Sequence, residues 1–161
     1  MDLIDYIYDE CQRQHVGNYG DFATGWQIAR DRESVGSWQE FAIFVMRIAR
    51  AVDYANLYRP GEGENLRTSH VGFMHGGSAA PAGEVRERFD RWCEFTHEWL
   101  RDWGPMVDGL QPPYEIDSLI KQLLDIHPWA DGNGRTASIL RNWMLRQLDD
   151  PEPLPFYYGD T

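Results

Sequence analysis

Cysteine is scarce: Cys11 and Cys93 are the only two in 161 residues. They lie far apart and fit no metal-ligand spacing, so they read as a pair of reduced structural thiols. That reading places the protein in the cytoplasm, or in a host cytosol to which it is delivered. Long apolar runs are missing too. None approaches the ~20 residues that span a bilayer, and the N-terminus lacks the basic start and apolar core of a secretory signal, so no membrane role is expected. Positive charge is in short supply, with 15 Lys and Arg against 26 Asp and Glu and a net charge of −11. Phosphate backbones select basic surfaces, so no nucleic-acid partner is expected. A small nucleotide stays open, because it needs only a local positive pocket and Mg²⁺. Internal repeats and low-complexity segments are absent as well.

What is present suits one packed domain over residues 1–161. The chain is 42% hydrophobic and holds seven Trp, enough to build a real core at this length. Residues 2–14 repeat apolar positions at helical spacing (Leu3, Ile4, Ile7, Tyr8, Cys11) behind an acidic start, which predicts an N-terminal helix. Residues 15–33 contain Gly17, Gly20 and Gly25 and read as an irregular connection. Ser37 with Glu40 is a capping-box pattern. It opens a helix striped by Phe41, Phe44, Val45, Ile48 and Val52 that runs to about Asn56–Tyr58, ahead of Pro60 and Gly61.

Residues 64–75 change character. Partial period-two alternation ending in Gly76-Gly77 predicts a short β-hairpin, with His70 and His75 on its surface. An exposed edge of this kind can dock an extended peptide. Pro81 then starts a long helix to about Trp103, with Val85, Phe89, Trp92, Thr96, Trp99 and Trp103 on one stripe and His97 structural beside it. Residues 104–113 form a Pro- and Gly-rich loop. Helices are expected over 114–127 and 134–148, and the Pro-rich tail 149–161 lies extended on the surface. The fold class is all-α with one small β-hairpin, the core spanning about residues 37–148.

The chemistry concentrates in Ile126-His127-Pro128-Trp129-Ala130-Asp131-Gly132-Asn133-Gly134-Arg135, between two helical patterns. The loop runs straight into a helix N-terminus, where unpaired N–H groups and the positive end of the dipole favour an anion, most often phosphate. Gly132 and Gly134 let a ligand approach the backbone. Arg135 on the first turn can grip phosphate with two hydrogen bonds. Asp131 is a hard oxygen ligand suited to Mg²⁺ held partly by substrate phosphates. His127 can accept a proton near neutral pH.

This run resembles the signature of the Fic domain family, His-Pro-Phe-x-Asp/Glu-Gly-Asn-Gly-Arg-x-x-Arg. The resemblance implies a Fic-like helical bundle in which a hairpin flap, here Leu66, Arg67, Thr68, Ser69, His70 and Val71, docks the target segment. It implies transfer of a nucleoside monophosphate, commonly AMP from ATP, onto a Ser, Thr or Tyr hydroxyl of a target protein. His127 would be the base and Asp131 would hold Mg²⁺. Gly132, Asn133, Gly134 and Arg135 would bind the phosphates, Asn133 orienting the reacting one and Arg135 stabilising the leaving ones.

Two departures stand out. Trp129 replaces Phe, one large apolar anchor for another. Ser138 replaces the second Arg, which would help hold the terminal phosphates; Arg141, one turn on, is the nearest stand-in. The related Doc toxins also lack that Arg and resemble kinases, so phosphoryl transfer is the alternative, although they carry Lys where Gly134 stands. No Ser or Thr precedes any Glu by four residues, so the inhibitory Ser/Thr-x-x-x-Glu pattern of many Fic domains is missing. That leaves control to a separate inhibitor protein or to nothing. The reading from another class is a nucleotide- or protein-binding module with weakened catalysis, which leaves the presence of both His127 and Asp131 unexplained.

Overall fold

The computed structural model describes residues 1–54, 66–73, 77–103 and 113–155. Among these the chain is all-helical, with six helices and no strand. The helices are α1 (Leu3–Arg13), α2 (Tyr19–Arg30), α3 (Trp38–Val52), α4 (Val85–Trp103), α5 (Pro113–Ile126) and α6 (Asn133–Met144), and a 3₁₀ turn, Ala82–Glu84, leads into α4. No described helix is long and apolar enough to cross a membrane.

Local chemistry explains the starts. Asp2 caps α1 by accepting the Ile4 N–H at 2.8 Å, and Ser37 caps α3 by accepting the Glu40 N–H at 3.2 Å. Caps of this kind contribute about 1 kcal/mol each. Glu40 reaches back to the Gly36 N–H at 3.0 Å, one residue earlier than a capping box would place it. The end expected for α3, near Asn56–Tyr58, lies outside the described residues, as does the loop expected over 104–113 except for Pro113, which instead begins α5.

Helix α2 overturns the irregular connection expected over residues 15–33. Gly25 there is a packing residue rather than a breaker. A Cβ on Gly25 would lie 2.6 Å from Val52 Cγ1 and 3.2 Å from Ile139 Cδ1, so its absence lets α2 seat against both α3 and α6. Phe22, Trp26 and Ala29 bury the same face.

Helix α6 is the hub. All its residues are buried, and it packs on α2, α3 and α5. Phe41 and Phe44 of α3 lie 6.2 and 4.8 Å from the Trp143 ring, and Trp92 of α4 stands 5.8 Å from Phe41. The helix stops short of residue 148 because Arg146 turns left-handed (φ 56°) and the Gln147 N–H reaches back to the Asn142 carbonyl at 3.0 Å.

Through residue 155 the tail expected on the surface does not simply lie there. Pro151 and Leu154 are buried. The Leu154 N–H donates to the Glu10 carboxylate at 3.2 Å, and Asn142 pairs with both the N–H and the carbonyl of Glu152 at 2.8 and 3.0 Å. Residues 151–154 therefore strap α6 to α1. Of the expected hairpin, residues 64, 65 and 74–76 lie outside the described set. What is described is a single antiparallel bridge between Gly72 and Ser78, with the Ala79 N–H donating to the Val71 carbonyl at 3.0 Å.

Candidate active site

Helix α5 delivers His127 by ending on it. The residue turns to φ +52°, and its N–H closes the helix on the Leu123 carbonyl at 3.0 Å. Glycine usually occupies that left-handed position. Pro128 cannot extend the helix, and Trp129 drops fully into the core, its ring centroid 5.7 Å from that of Phe89 in an edge-to-face pair. Asn133 staples the loop shut: its amide donates to the Trp129 carbonyl at 2.8 Å and accepts the Trp129 N–H at 3.1 Å. Gly132 is required twice over. Its φ is +81°, and a Cβ would lie 3.2 Å from Val52 Cγ2 and 3.5 Å from Asp53 Cβ.

Among the described residues no side chain caps the start of α6, where Gly132, Asn133, Gly134 and Arg135 are buried; its first internal bond runs from the Thr136 N–H to the Gly132 carbonyl at 3.0 Å. The amides of Asn133, Gly134 and Arg135 thus precede the helical ladder. The expected phosphate cradle needs this arrangement.

His127 is 2% exposed, and its Nδ1 is buried with no hydrogen-bond partner among the described residues. The Phe73 ring meets it edge-on at 5.6 Å. Burial first, then the Arg67 charge, push its pKa down to about 4, against the pull of the Asp131 carboxylate. The imidazole is therefore neutral near pH 7, the form that accepts a proton.

Asp131 is half-exposed. Its Oδ1 accepts the Gly132 N–H at 2.8 Å and stands 3.3 Å from Arg135 Nη2. Among the described residues no group of three or more His, Cys, Asp or Glu gathers into a metal cage. A lone accessible carboxylate instead suits a Mg²⁺ whose other ligands are substrate phosphates and water.

The remaining expected residues sit less simply. Arg135 is 1% exposed, and its Nη1 donates to Asn18 Oδ1 at 3.0 Å and to the Val52 carbonyl at 2.9 Å. Its guanidinium thus braces the loop against α2 and α3. In the segment 66–71, Thr68, Ser69 and His70 are exposed, Leu66 and Val71 half-buried, and Arg67 buried. Ser138 is fully buried with its hydroxyl on the Tyr6 hydroxyl of α1, and Asn142 completes the cluster. Arg141 is no stand-in for a missing phosphate ligand: it is bound to Asp117 at 2.6 Å and Glu152 at 3.3 Å. His97 has a structural partner in the Val35 carbonyl at 3.2 Å.

Asn18, Tyr6 and Phe73 went unnoticed as supports of this site. Asn18 does carry a sequence signal, an Asx directly ahead of a helix. Its amide, however, makes no cap and serves Arg135 and the Val52 carbonyl instead, the latter at 2.8 Å.

Among known proteins, the chain is similar to "Protein adenylyltransferase Fic" of Drosophila erecta, with 30% identity over 97 residues. The match takes in 57% of this chain and 17% of that relative, so the chain corresponds to a small part of the longer protein. The model of the Fic/DOC family matches residues 42–145, which include segment 66–73, the His127–Arg135 loop and α6. More than half of the sequence is thereby accounted for, and the chain belongs to the Fic/DOC family.

Proposed function

We propose that the chain transfers a nucleoside monophosphate, AMP from ATP, onto a hydroxyl side chain of a target protein. The observation that supports this reading is a buried, neutral His127 that feels the Asp131 charge, on the same loop as an uncapped helix start. The amides of Asn133, Gly134 and Arg135 hold the phosphates. Asp131 holds Mg²⁺, which supplies neutralisation of phosphate charge. Arg135 acts from behind, fixing Asp131 and the loop backbone. The exposed residues Thr68, Ser69 and His70, with Val71, lay an extended target segment beside His127.

As the target hydroxyl attacks the α-phosphorus, His127 takes its proton, the bond to the β-phosphate breaks and pyrophosphate leaves. A base with a pKa near 4 is weak for this work. Arrival of a polyanion beside the imidazole raises its proton affinity, so the base strengthens when the nucleotide is in place. Replacing His127 by Ala is expected to cost about 10²–10⁴ in rate.

One observation favours a second reading, a nucleotide-binding module with little transfer. Ser138 faces α1 rather than a phosphate, and Arg135 and Arg141 are both committed to protein partners. Intact-mass analysis of proteins in a cell extract, incubated with Mg²⁺ and each nucleoside triphosphate, separates the readings. An added nucleoside monophosphate supports the proposal. An added phosphate means Doc-like kinase activity, and no addition with retained nucleotide binding means the module.

A further inference from the structure

Arg67 sits on the segment read as the target-docking flap, yet its side chain turns inward and is 5% exposed. A buried guanidinium normally meets a carboxylate. Among the described residues this one meets only backbone carbonyls. Nη2 donates to Ile126 at 3.0 Å and to Ala80, Nε donates to His127, and Nη1 donates to Ser69 at 2.7 Å. Its own N–H adds a bond to the Pro128 carbonyl at 2.8 Å. The carbonyls of Ile126, His127 and Pro128 all belong to the turn that ends α5.

That turn needs holding. His127 has a positive φ, a backbone conformation that a residue with a Cβ adopts only under strain. It also precedes a proline, which restricts it further toward extended backbone. Such a conformation persists only where the surroundings over-determine it. The carbonyls at the C-terminus of a helix carry the negative end of the dipole and attract a cation. A planar fork of fixed donors can gather several of them at once, and an ammonium cannot.

We infer that Arg67 is a positioning residue: its guanidinium locks the His127 turn in its left-handed backbone and joins segment 66–69 and Ala80 to that turn as one rigid piece. The flap then does more than offer a docking edge. A target strand laid on Thr68–Val71 is held in fixed register with His127, because both hang on one side chain. The charge of the same guanidinium, secondary to burial, also disfavours protonation of the imidazole.

The part of this inference that concerns transfer rests on the proposed nucleotidyl transfer. The part that concerns geometry does not. The test compares full-length wild type with Arg67→Met and Arg67→Lys. In both variants the Cα and Cβ chemical shifts of His127 move from left-handed toward extended values. AMP incorporation from Mg²⁺-ATP falls about 10²-fold in kcat, the scale of a misplacement near 1 Å, while KM for ATP stays within about threefold. Unchanged His127 shifts in a folded Arg67→Met protein overturn the inference. If wild type incorporates no AMP, the proposed function fails and the shifts still judge Arg67. Should both variants fail to fold, hydrogen exchange of wild type decides: the amides of Arg67, His127 and Ala80 open with one common protection factor. Protection factors differing more than about tenfold overturn the inference.

Discussion

Acid should weaken this fold through His127 in a measurable way. In the native state the imidazole titrates at about 4. In the unfolded chain it returns to its ordinary value near 6.5. Because the native value is the lower one, the folded state resists protonation. Its contribution to stability is complete above pH 6.5 and is lost as pH falls through that value toward 4. Each unit of difference is about 1.4 kcal/mol, so the loss reaches about 3 kcal/mol by pH 4. The control is His127→Asn, which cannot titrate and tolerates a positive φ. Urea unfolding of both proteins at about pH 7.5 and pH 4 isolates the effect, since they share every other titrating group. Wild type should lose about 3 kcal/mol more than the variant over that interval. Equal losses, within about 0.5 kcal/mol, would show that the imidazole is not held neutral and would refute the reasoning.

Two substitutions probe the loop and the hub helix. Gly132→Ala forces a Cβ to within 3.2 Å of Val52 Cγ2 at φ +81°, and should destabilise by about 1–3 kcal/mol in urea titrations while weakening ATP binding. Ser138→Arg restores the family's second arginine on paper. Because Ser138 is fully buried against Tyr6, the larger charged side chain should instead lower the unfolding free energy by more than about 3 kcal/mol without raising transfer. A stable, faster Ser138→Arg enzyme would mean that this helix face opens toward the nucleotide.

Helices striped at three and four were legible because burial repeats with the backbone, as at Ile116, Leu119, Ile120 and Leu123; in α1 the expected stripe holds at Ile7 and Cys11 but not at Ile4 and Tyr8, which are exposed, while Tyr6 is buried instead. α2 was not, because Gly20 and Gly25 read locally as breakers, while the reason for Gly25 lies across the fold, in Val52 and Ile139. The family signature in the loop was legible as a local run of residue types. Its supports were not, since Arg135 meets Asn18 from 117 positions away and Ser138 meets Tyr6 from 132. Arg67 shows the same limit. Its segment was readable as an edge, but nothing nearby in sequence reveals a side chain turned inward onto the end of α5.

The central claim is that His127 accepts the proton of a hydroxyl attacking the α-phosphorus of a nucleotide. It is tested most directly by incubating wild type and His127→Ala with Mg²⁺ and ATP labelled at either the α- or the γ-phosphate, in the same cell extract. The account predicts protein-bound α-label with wild type, its fall by about 10²–10⁴ with His127→Ala, and no γ-label with either. Protein-bound γ-label, or α-label undiminished in His127→Ala, would contradict it.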